Sequence, residues 1–511
     1  MSLCIPRGAT VAVIGAGAMG AGIAQIAAQA GHPVRVFDLK SGAAATAIAG
    51  IRATFAKLAD KGKLSADAAA AAGERLHAAK AVAALADAAL VVEAVVERLD
   101  VKRALFAELE GIVGPSCILA SNTSSISITA IAAGLQHPQR VLGMHFFNPA
   151  PLMALVEVVS GLATDPTLAQ AVYELAQAWG KSPVHTKSTP GFIVNRVARP
   201  YYAEALRLLG EQAADAATLD AVMREAGGFR MGPFELMDLI GHDVNYTVTR
   251  SVFEAFYNDP RFAPSLIQQE LVNAGYLGRK SGRGFFSYAE GAVRPQPHTE
   301  PAAPLANGVT LWPGTALAQA LAVRLQATHV PHRMHDAAHD DGRALLVGDA
   351  AVYLTDGRSA TQRASDNGHR ATVLVDLALD FALAPRLAIC CADACTPAAA
   401  AAVVAVLQAA GFAVSRLDDV PGMAVMRTVA MLANEAAEAV HQGVCDAAAA
   451  DIAMQKGVNY PRGPLAWADA IGLRHVLTVL DHLAAAYGED RYRASVLLRR
   501  KVAGGRPFHD A

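Results

Sequence analysis

The stretch TVAVIGAGAMGAGIAQIAAQAGHPVRVFDL, residues 10–39, reads as strand, tight glycine turn, helix, strand. Gly15 permits the sharp turn, Gly17 lets a backbone approach a pyrophosphate, and Gly20 lets the helix sit close to the strand. The helix N-terminus then directs free N–H groups at the phosphates. A lone GxGxxG is a weak signal, because a glycine turn can exist without a ligand. Here it follows VAVIG, opens an amphipathic helix and is followed by VRVFD. Asp38 closes the second strand, 18 residues after Gly20. A carboxylate there accepts both ribose hydroxyls and repels a 2′-phosphate, which points to NAD rather than NADP.

Further along, ALVVEAVVE (89–97) is an unbroken apolar run that predicts a parallel strand buried on both faces. The helix DVKRALFAELEGIV follows, and CILASNTSSISI (117–128) predicts a strand ending in small polar residues. In an open parallel sheet, ligands bind at the carboxyl ends of strands. Glu97, Asn122, Ser124 and His145 all fall at such ends. His145 and Glu157 lie in GMHFFNPAPLMALVEVV (143–159). Histidine is the side chain best placed to move a proton near neutral pH. Glu157 interrupts the apolar run ALVEVV, where a charge is costly without a partner. A carboxylate on one ring nitrogen would fix the tautomer and balance an imidazolium. The segment alone also admits an unrelated strand-end histidine and surface glutamate.

The 511 residues are too many for one ordinary core, so two to four domains are expected. The 53% hydrophobic content, much of it alanine, predicts a helix-rich soluble protein. A formal net charge of -2 gives no sign of a nucleic-acid partner. The six cysteines (Cys4, Cys117, Cys390, Cys391, Cys395, Cys445) show no paired framework, and the N-terminus lacks a signal-peptide layout, so a cytoplasmic location is expected. The apolar run 398–414 is short for a membrane span and contains Gln408 and Gly411; it reads as a buried helix entering a strand.

The ordered set VIGAGAMGAGIAQ, VVEAVVE, ASNTSS, GMHFFNPAPLM with LVEVV, TPGFIVNR and MGPFELMDLIG resembles the NAD-dependent L-3-hydroxyacyl-CoA dehydrogenase family over about residues 8 to 290. The resemblance implies that His145 is the general base toward the 3-hydroxyl group and that Glu157 orients it. It implies that Ser124 and Asn195 hydrogen-bond the substrate oxygen. It assigns NAD contacts to Gly15, Gly17, Gly20, Asp38, Glu97, Lys102, Asn122, Asn148 and Lys280. Thr54 and Lys61 align with positions that touch the CoA moiety, although the family carries serine in place of Thr54. Read from the residues alone, Ser124 could merely cap its turn, Asn195 could bond its own helix, and Lys280 could be a solvated loop lysine.

A second copy follows. Adding 231 to the numbering aligns TPGFIVNR with VPGMAVMR (420–427) without a gap. The same register carries Gly191 to Gly422, Arg196 to Arg427, Glu204 to Glu435, Asp220 to Asp451, Gly232 to Gly463 and Asp238 to Asp469. It also places His145 on Asp376, Glu157 on Ala388 and Asn195 on Met426, and no GxGxxG opens the second copy. A repeat at this period is a domain duplication. The expected α/β architecture is a Rossmann-type NAD-binding domain (1–187), a helical domain (188–290), a linker (291–310), a degenerate Rossmann-like remnant (311–418) and a second helical domain (419–511). In the family, helical domains of two subunits pair as a dimer, so the duplicate is expected to pair within the chain, with a homodimer through another surface as an alternative. The linker YAEGAVRPQPHTEPAAPLANG (288–308) is Pro-rich and reads as exposed. His329, His332, His335 and His339 cluster just beyond it, but their spacing matches no familiar zinc site, and no metal is expected.

These readings predict one active site per chain, oxidising a (3S)-3-hydroxyacyl-CoA with NAD. The long duplicated layout resembles the bacterial branch of phenylacetate degradation, which implies 3-hydroxyadipyl-CoA; a short-chain 3-hydroxybutyryl-CoA substrate is the near alternative. Such a dicarboxylic chain calls for a cation beyond it, with Arg199 and Arg207 as candidates. A catalytically silent dinucleotide-binding protein is the reading from another class. Retention of both His145 and Glu157 argues against it.

Overall fold

The computed structural model describes residues 5–305 and 308–509, so Cys4 and two residues of the Pro-rich stretch lie outside the described residues. The chain forms two compact units. The first comprises residues up to 196 together with 442–458; the second comprises 197–441 together with 459 onward.

The first unit is built on β1 (Val11–Ile14), β2 (Val34–Phe37), β3 (Leu76–Ala78), β4 (Leu90–Glu93), β5 (Ile118–Ser121), β6 (Val141–Phe146), β7 (Leu155–Ser160) and β8 (Ser182–Lys187). Their order is β3-β2-β1-β4-β5-β6-β7-β8. Every pair is parallel except β6 with β7, which runs antiparallel and sets His145 directly opposite Glu157. β1, β4 and β5 are buried along their whole length, as expected of strands covered on both faces. The strands read at 89–97 and 117–128 are shorter than expected. Each stops where a polar side chain first finds hydrogen bonds, at Glu93 and Ser121.

The second unit contains β9 (Val309–Leu311), β10 (His332–Met334), β11 (Leu345–Val347), β12 (Ala350–Leu354), β13 (Thr372–Val375), β14 (Arg386–Cys391) and β15 (Ala413–Arg416), in the order β10-β9-β11-β12-β13-β14-β15. β12 to β15 repeat the parallel, antiparallel, parallel pairing of β5 to β8. β11 departs from the first copy: it forms a hairpin with β12 and is antiparallel to β9. The helix expected over 398–414 is Pro397–Ala409, which enters β15, and no helix among the described residues is long and apolar enough to cross a membrane.

β9 starts at Val309, inside the stretch expected to be linker. That stretch is also held down. Glu300 N–H donates to Val414 O at 2.8 Å, and His298 N–H donates to Thr218 Oγ1 at 2.8 Å. Its prolines leave few donors, and these bond β15 at Val414 and the side chains of the neighbouring helices at Thr218 and Gln408.

The helical copies meet inside the second unit. Helix Arg199–Gly210 lies along helix Val425–His441. Arg427, fully buried, bonds Glu204 Oε2 at 2.7 Å and Glu211 at 2.8 Å, with Tyr487 and Tyr492 hydroxyls at 2.8 Å each. A guanidinium so enclosed is tolerable only because its donors are matched.

The duplicates have also exchanged one helix each. Helix Ala447–Gly457, from the second copy, rests on β7 and β8 of the first unit. Its counterpart Ala216–Glu225, from the first copy, rests on β14 of the second sheet. Lys187 N–H donates to Val444 O at 2.9 Å, which ties the end of β8 to the incoming segment.

Candidate active site

The glycine turn is constrained at two of its three positions and open at the third. Gly15 has φ +100°, and a Cβ there would lie 2.4 Å from Ala94 O. A Cβ on Gly20 would lie 1.8 Å from Gly15 O, so the helix can approach the strand only with glycine. A Cβ on Gly17 would meet nothing within 4 Å. Gly17 is the N-cap of helix Ala18–Gln29 and makes no side-chain cap bond, so the first-turn N–H groups are left for a ligand. This cradle fits a pyrophosphate. Asp38 accepts from Ala16 N–H at 2.7 Å and from Lys40 N–H at 2.8 Å, which binds the glycine turn to the end of β2 and leaves carboxylate lone pairs for hydroxyls.

A cavity of about 380 Å³ opens at the ends of β4, β5 and β6. Its wall includes Met19, Glu97, Asn122, Ser124, His145, Asn148 and Asn195. Seven residues therefore converge here that are separated by up to 176 positions in the chain. His145 is 6% exposed and Glu157 is fully buried. His145 Nδ1 lies 2.6 Å from Glu157 Oε2. With the carboxylate on that side, Nδ1 carries the proton and Nε2 keeps its lone pair. The ring is flanked by Phe147, tilted against it at 4.5 Å, and by Phe192, edge-on at 5.8 Å between centroids.

Glu157 does a second job. Its Oε1 accepts from Ile193 N–H at 2.9 Å and Val194 N–H at 3.0 Å. Gly191 (φ +75°) and Phe192 (φ +48°) make the turn that aims these donors. Both oxygens are thus engaged, and these bonds hold the carboxylate against the ring. Asn195 follows this turn, with its Nδ2 3.5 Å from Ser124 O.

Glu93, which the sequence reading passed over, anchors the floor. It is fully buried at the end of β4 and accepts from Lys102 Nζ at 2.6 Å, Ser121 Oγ at 2.6 Å and Val95 N–H at 2.7 Å. The available signal was the same one that marked Glu157, an acid inside an apolar run. Lys102 is 1% exposed and also reaches Glu97 at 3.3 Å. It therefore stands behind Glu97 rather than in the cavity wall. Glu97 accepts from Thr123 Oγ1 at 2.6 Å, Ser124 N–H at 3.0 Å and Ser125 Oγ at 3.0 Å. Burial alone would raise its carboxyl pKa, but these bonds and the Lys102 charge outweigh it and hold the value below the ordinary 4.5. Asn122 Oδ1 accepts from Phe146 N–H at 2.8 Å, which fixes it beside His145.

Thr54, Lys61 and Lys280 are neither in this cavity wall nor bonded to a residue of it. Thr54 Oγ1 donates to Gly50 O at 2.9 Å on an exposed helical face, and Lys61 is exposed at the end of the same helix, Ala43–Asp60. Lys280 belongs to the second unit, where its ammonium is 2.7 Å from Asp243 Oδ2.

The second copy preserves the frame without the imidazole. Asp376 and Ala388 face each other across β13 and β14, as His145 and Glu157 do across β6 and β7: Asp376 N–H donates to Ala388 O at 3.0 Å. From the histidine position, the Asp376 carboxylate accepts from Ala424 N–H at 2.9 Å, Val425 N–H at 2.7 Å and Met426 N–H at 3.0 Å. One shorter acid thus keeps the capping function of Glu157, and the proton-transfer group is gone. Among the described residues, no group of three or more metal-ligating side chains converges. His335 stacks on Trp312 at 4.8 Å, and His339 lies 2.7 Å from Asp341.

Comparison with known proteins gives three family matches: the NAD binding domain of 3-hydroxyacyl-CoA dehydrogenase over residues 10–189, the C-terminal domain of 3-hydroxyacyl-CoA dehydrogenase over residues 191–288 and again over 422–508, and the reduced Rossmann-fold domain of 3-hydroxybutyryl-CoA dehydrogenase over residues 352–421. The chain is 44% identical to the 3-hydroxyadipyl-CoA dehydrogenase of Escherichia coli K12 over 96% of its own length and 97% of the relative. A crystal structure of 3-hydroxybutyryl-CoA dehydrogenase from Escherichia coli K12 is 43% identical and superposes with a TM-score of 0.89, covering 98% of this chain and 99% of the other. The (S)-3-hydroxybutyryl-CoA dehydrogenase structure from Ralstonia eutropha is 40% identical, with a TM-score of 0.54, and matches 55% of this chain and 99% of its own.

Proposed function

The chain belongs to the 3-hydroxyacyl-CoA dehydrogenase family, and from that premise we propose that its first half oxidises a (3S)-3-hydroxyacyl-CoA at the cavity lined by His145, with 3-hydroxyadipyl-CoA as substrate. The observation that carries this reading is the orientation of His145. Its Nδ1 side is occupied by Glu157, so the lone pair on Nε2 is the group left to meet a substrate hydroxyl.

Bound NAD supplies the hydride acceptor. The turn of Gly15, Gly17 and Gly20 holds its pyrophosphate, and Asp38 receives ribose hydroxyls. Glu97, Asn122 and Asn148, all in the cavity wall, would contact the cofactor. Lys102 acts through Glu97, which it fixes in place. His145 Nε2 takes the proton of the 3-hydroxyl group as the carbonyl forms, and the imidazolium is stabilised by Glu157. Ser124 and Asn195 hydrogen-bond the same oxygen and stabilise the charge that develops on it. In the reverse direction, the imidazolium returns its proton to the alkoxide. Thr54 and Lys61 are proposed CoA contacts, and Lys280 a proposed cofactor contact. The enzyme is proposed to work in the cytoplasm, with the second half as scaffold. A second copy of the chain, where one binds, uses a surface other than the paired helical domains.

The adipyl substrate is supported by the full-length likeness to the Escherichia coli 3-hydroxyadipyl-CoA dehydrogenase. The equally full-length likeness to a structure named for 3-hydroxybutyryl-CoA favours the second reading. Values of kcat/KM across acyl-CoAs separate them. The proposal expects the highest value for the six-carbon chain with a terminal carboxylate. A maximum at 3-hydroxybutyryl-CoA would reverse the assignment while leaving the reaction intact.

A further inference from the structure

A second cavity of about 380 Å³ lies wholly in the second unit, against helix Arg199–Gly210. Its apolar wall includes Leu206, Phe262 and Ile267. Its polar wall carries Arg199, Arg207 and Arg491 against Glu211 and Glu489. Both acids are taken. Glu211 is bound by Arg427 at 2.8 Å and by the Tyr487 hydroxyl at 2.8 Å. Glu489 is bound by Arg207 at 2.6 Å.

Arg199 is the cation left over. It is only 5% exposed, yet no carboxylate meets it. Its Nη1 donates to the neutral Thr249 hydroxyl at 3.2 Å, its guanidinium stands 4.8 Å from the centre of the Tyr202 ring, and its Nε is enclosed without a partner. A buried guanidinium normally has an acid beside it, because desolvation is otherwise uncompensated. The duplication shows that the fold does not need a cation there. The residue 231 positions on is Ala430, fully buried in the matching helix, whereas the neighbouring Arg196 is matched by another arginine, Arg427. An unmatched buried arginine in a cavity with aliphatic and aromatic walls calls for an anion on an apolar stem.

We propose that this cavity is a receptor for a carboxylate carried on a short aliphatic chain, with Arg199 as the residue that reads the charge and Thr249 holding it in position. The ligand is a free dicarboxylate, and the inference stands apart from the adipyl reading above.

Calorimetric titration of the full-length protein with adipate and with its uncharged diamide tests the receptor. Wild type binds adipate in preference to the diamide; Arg199→Met weakens adipate by at least about tenfold, and Arg199→Lys restores part of it. Thermal unfolding checks that both variants fold, and Thr249→Val provides a weaker readout should Arg199→Met fail to fold. A folded Arg199→Met protein that binds adipate as tightly as wild type, or a wild type that binds adipate no better than the diamide, would overturn the receptor.

Discussion

The Glu157 carboxylate is shared between chemistry and architecture, and the two roles can be separated. Oε2 faces His145, while Oε1 holds two backbone N–H groups of the turn that leads to Asn195. Glu157→Gln keeps the oxygen and the shape but removes the charge that balances an imidazolium. It is expected to lower kcat with little change in unfolding temperature. Glu157→Ala leaves both N–H groups buried and unpaired, which costs about 1–3 kcal/mol of stability per group in addition to the loss of rate. Equal stability of the two variants, measured by urea unfolding, would contradict this division. His145 and Glu157 were each visible in the sequence, as a proton-transfer side chain and a costly strand acid, but their own segment did not pair them; the strand-end neighbours and the ordered motifs did. Glu93 and the burial of Lys102 were not legible. An acid inside VVEAVVE announces that a partner exists, but it does not say that Lys102 turns under the sheet to meet it.

At the scale of elements, the glycine turn followed from local pattern, whereas the antiparallel opposition of β6 and β7, which also places the candidate site, did not. Nor did the helix exchange. The alanine-rich sequence of Ala447–Gly457 does not specify which sheet the helix rests on. Contact geometry makes the exchange testable. A Cβ on Gly457 would lie 2.6 Å from Leu155 Cδ2 and 3.1 Å from Val194 Cγ2. The mirrored position in the first copy is Ala226, which accepts a methyl group. Gly457→Val is therefore expected to destabilise the protein by about 1–3 kcal/mol through overpacking. It should also slow turnover, because Val194 neighbours the donors that fix Glu157. A variant with parental stability and rate would show that the exchanged helix is not seated against β7. The hairpin of β11 and β12 was likewise invisible, since Leu345–Val347 and Ala350–Leu354 are too short and apolar to reveal their relative direction.

For the whole molecule, duplication explains why a chain with two copies of one frame has one candidate catalytic site. The paired helical copies are locked by the buried Arg427 cluster, which gives the second half a structural part in the proposed account. Asp376 records the duplication: it retains the capping bonds of Glu157 and occupies the place of His145. The register at 231 made the difference between the copies readable from sequence, because it carried both candidate catalytic positions onto other residue types, Asp376 and Ala388. The central claim is that all turnover in the chain passes through His145. NADH oxidation with acetoacetyl-CoA, followed for the full-length wild type and for His145→Ala at matched cofactor occupancy, tests it most directly. The account predicts one NADH bound per chain in both proteins and a kcat lower by about 100-fold or more in the variant. A folded His145→Ala protein that binds NADH and turns over at the parental rate would contradict it.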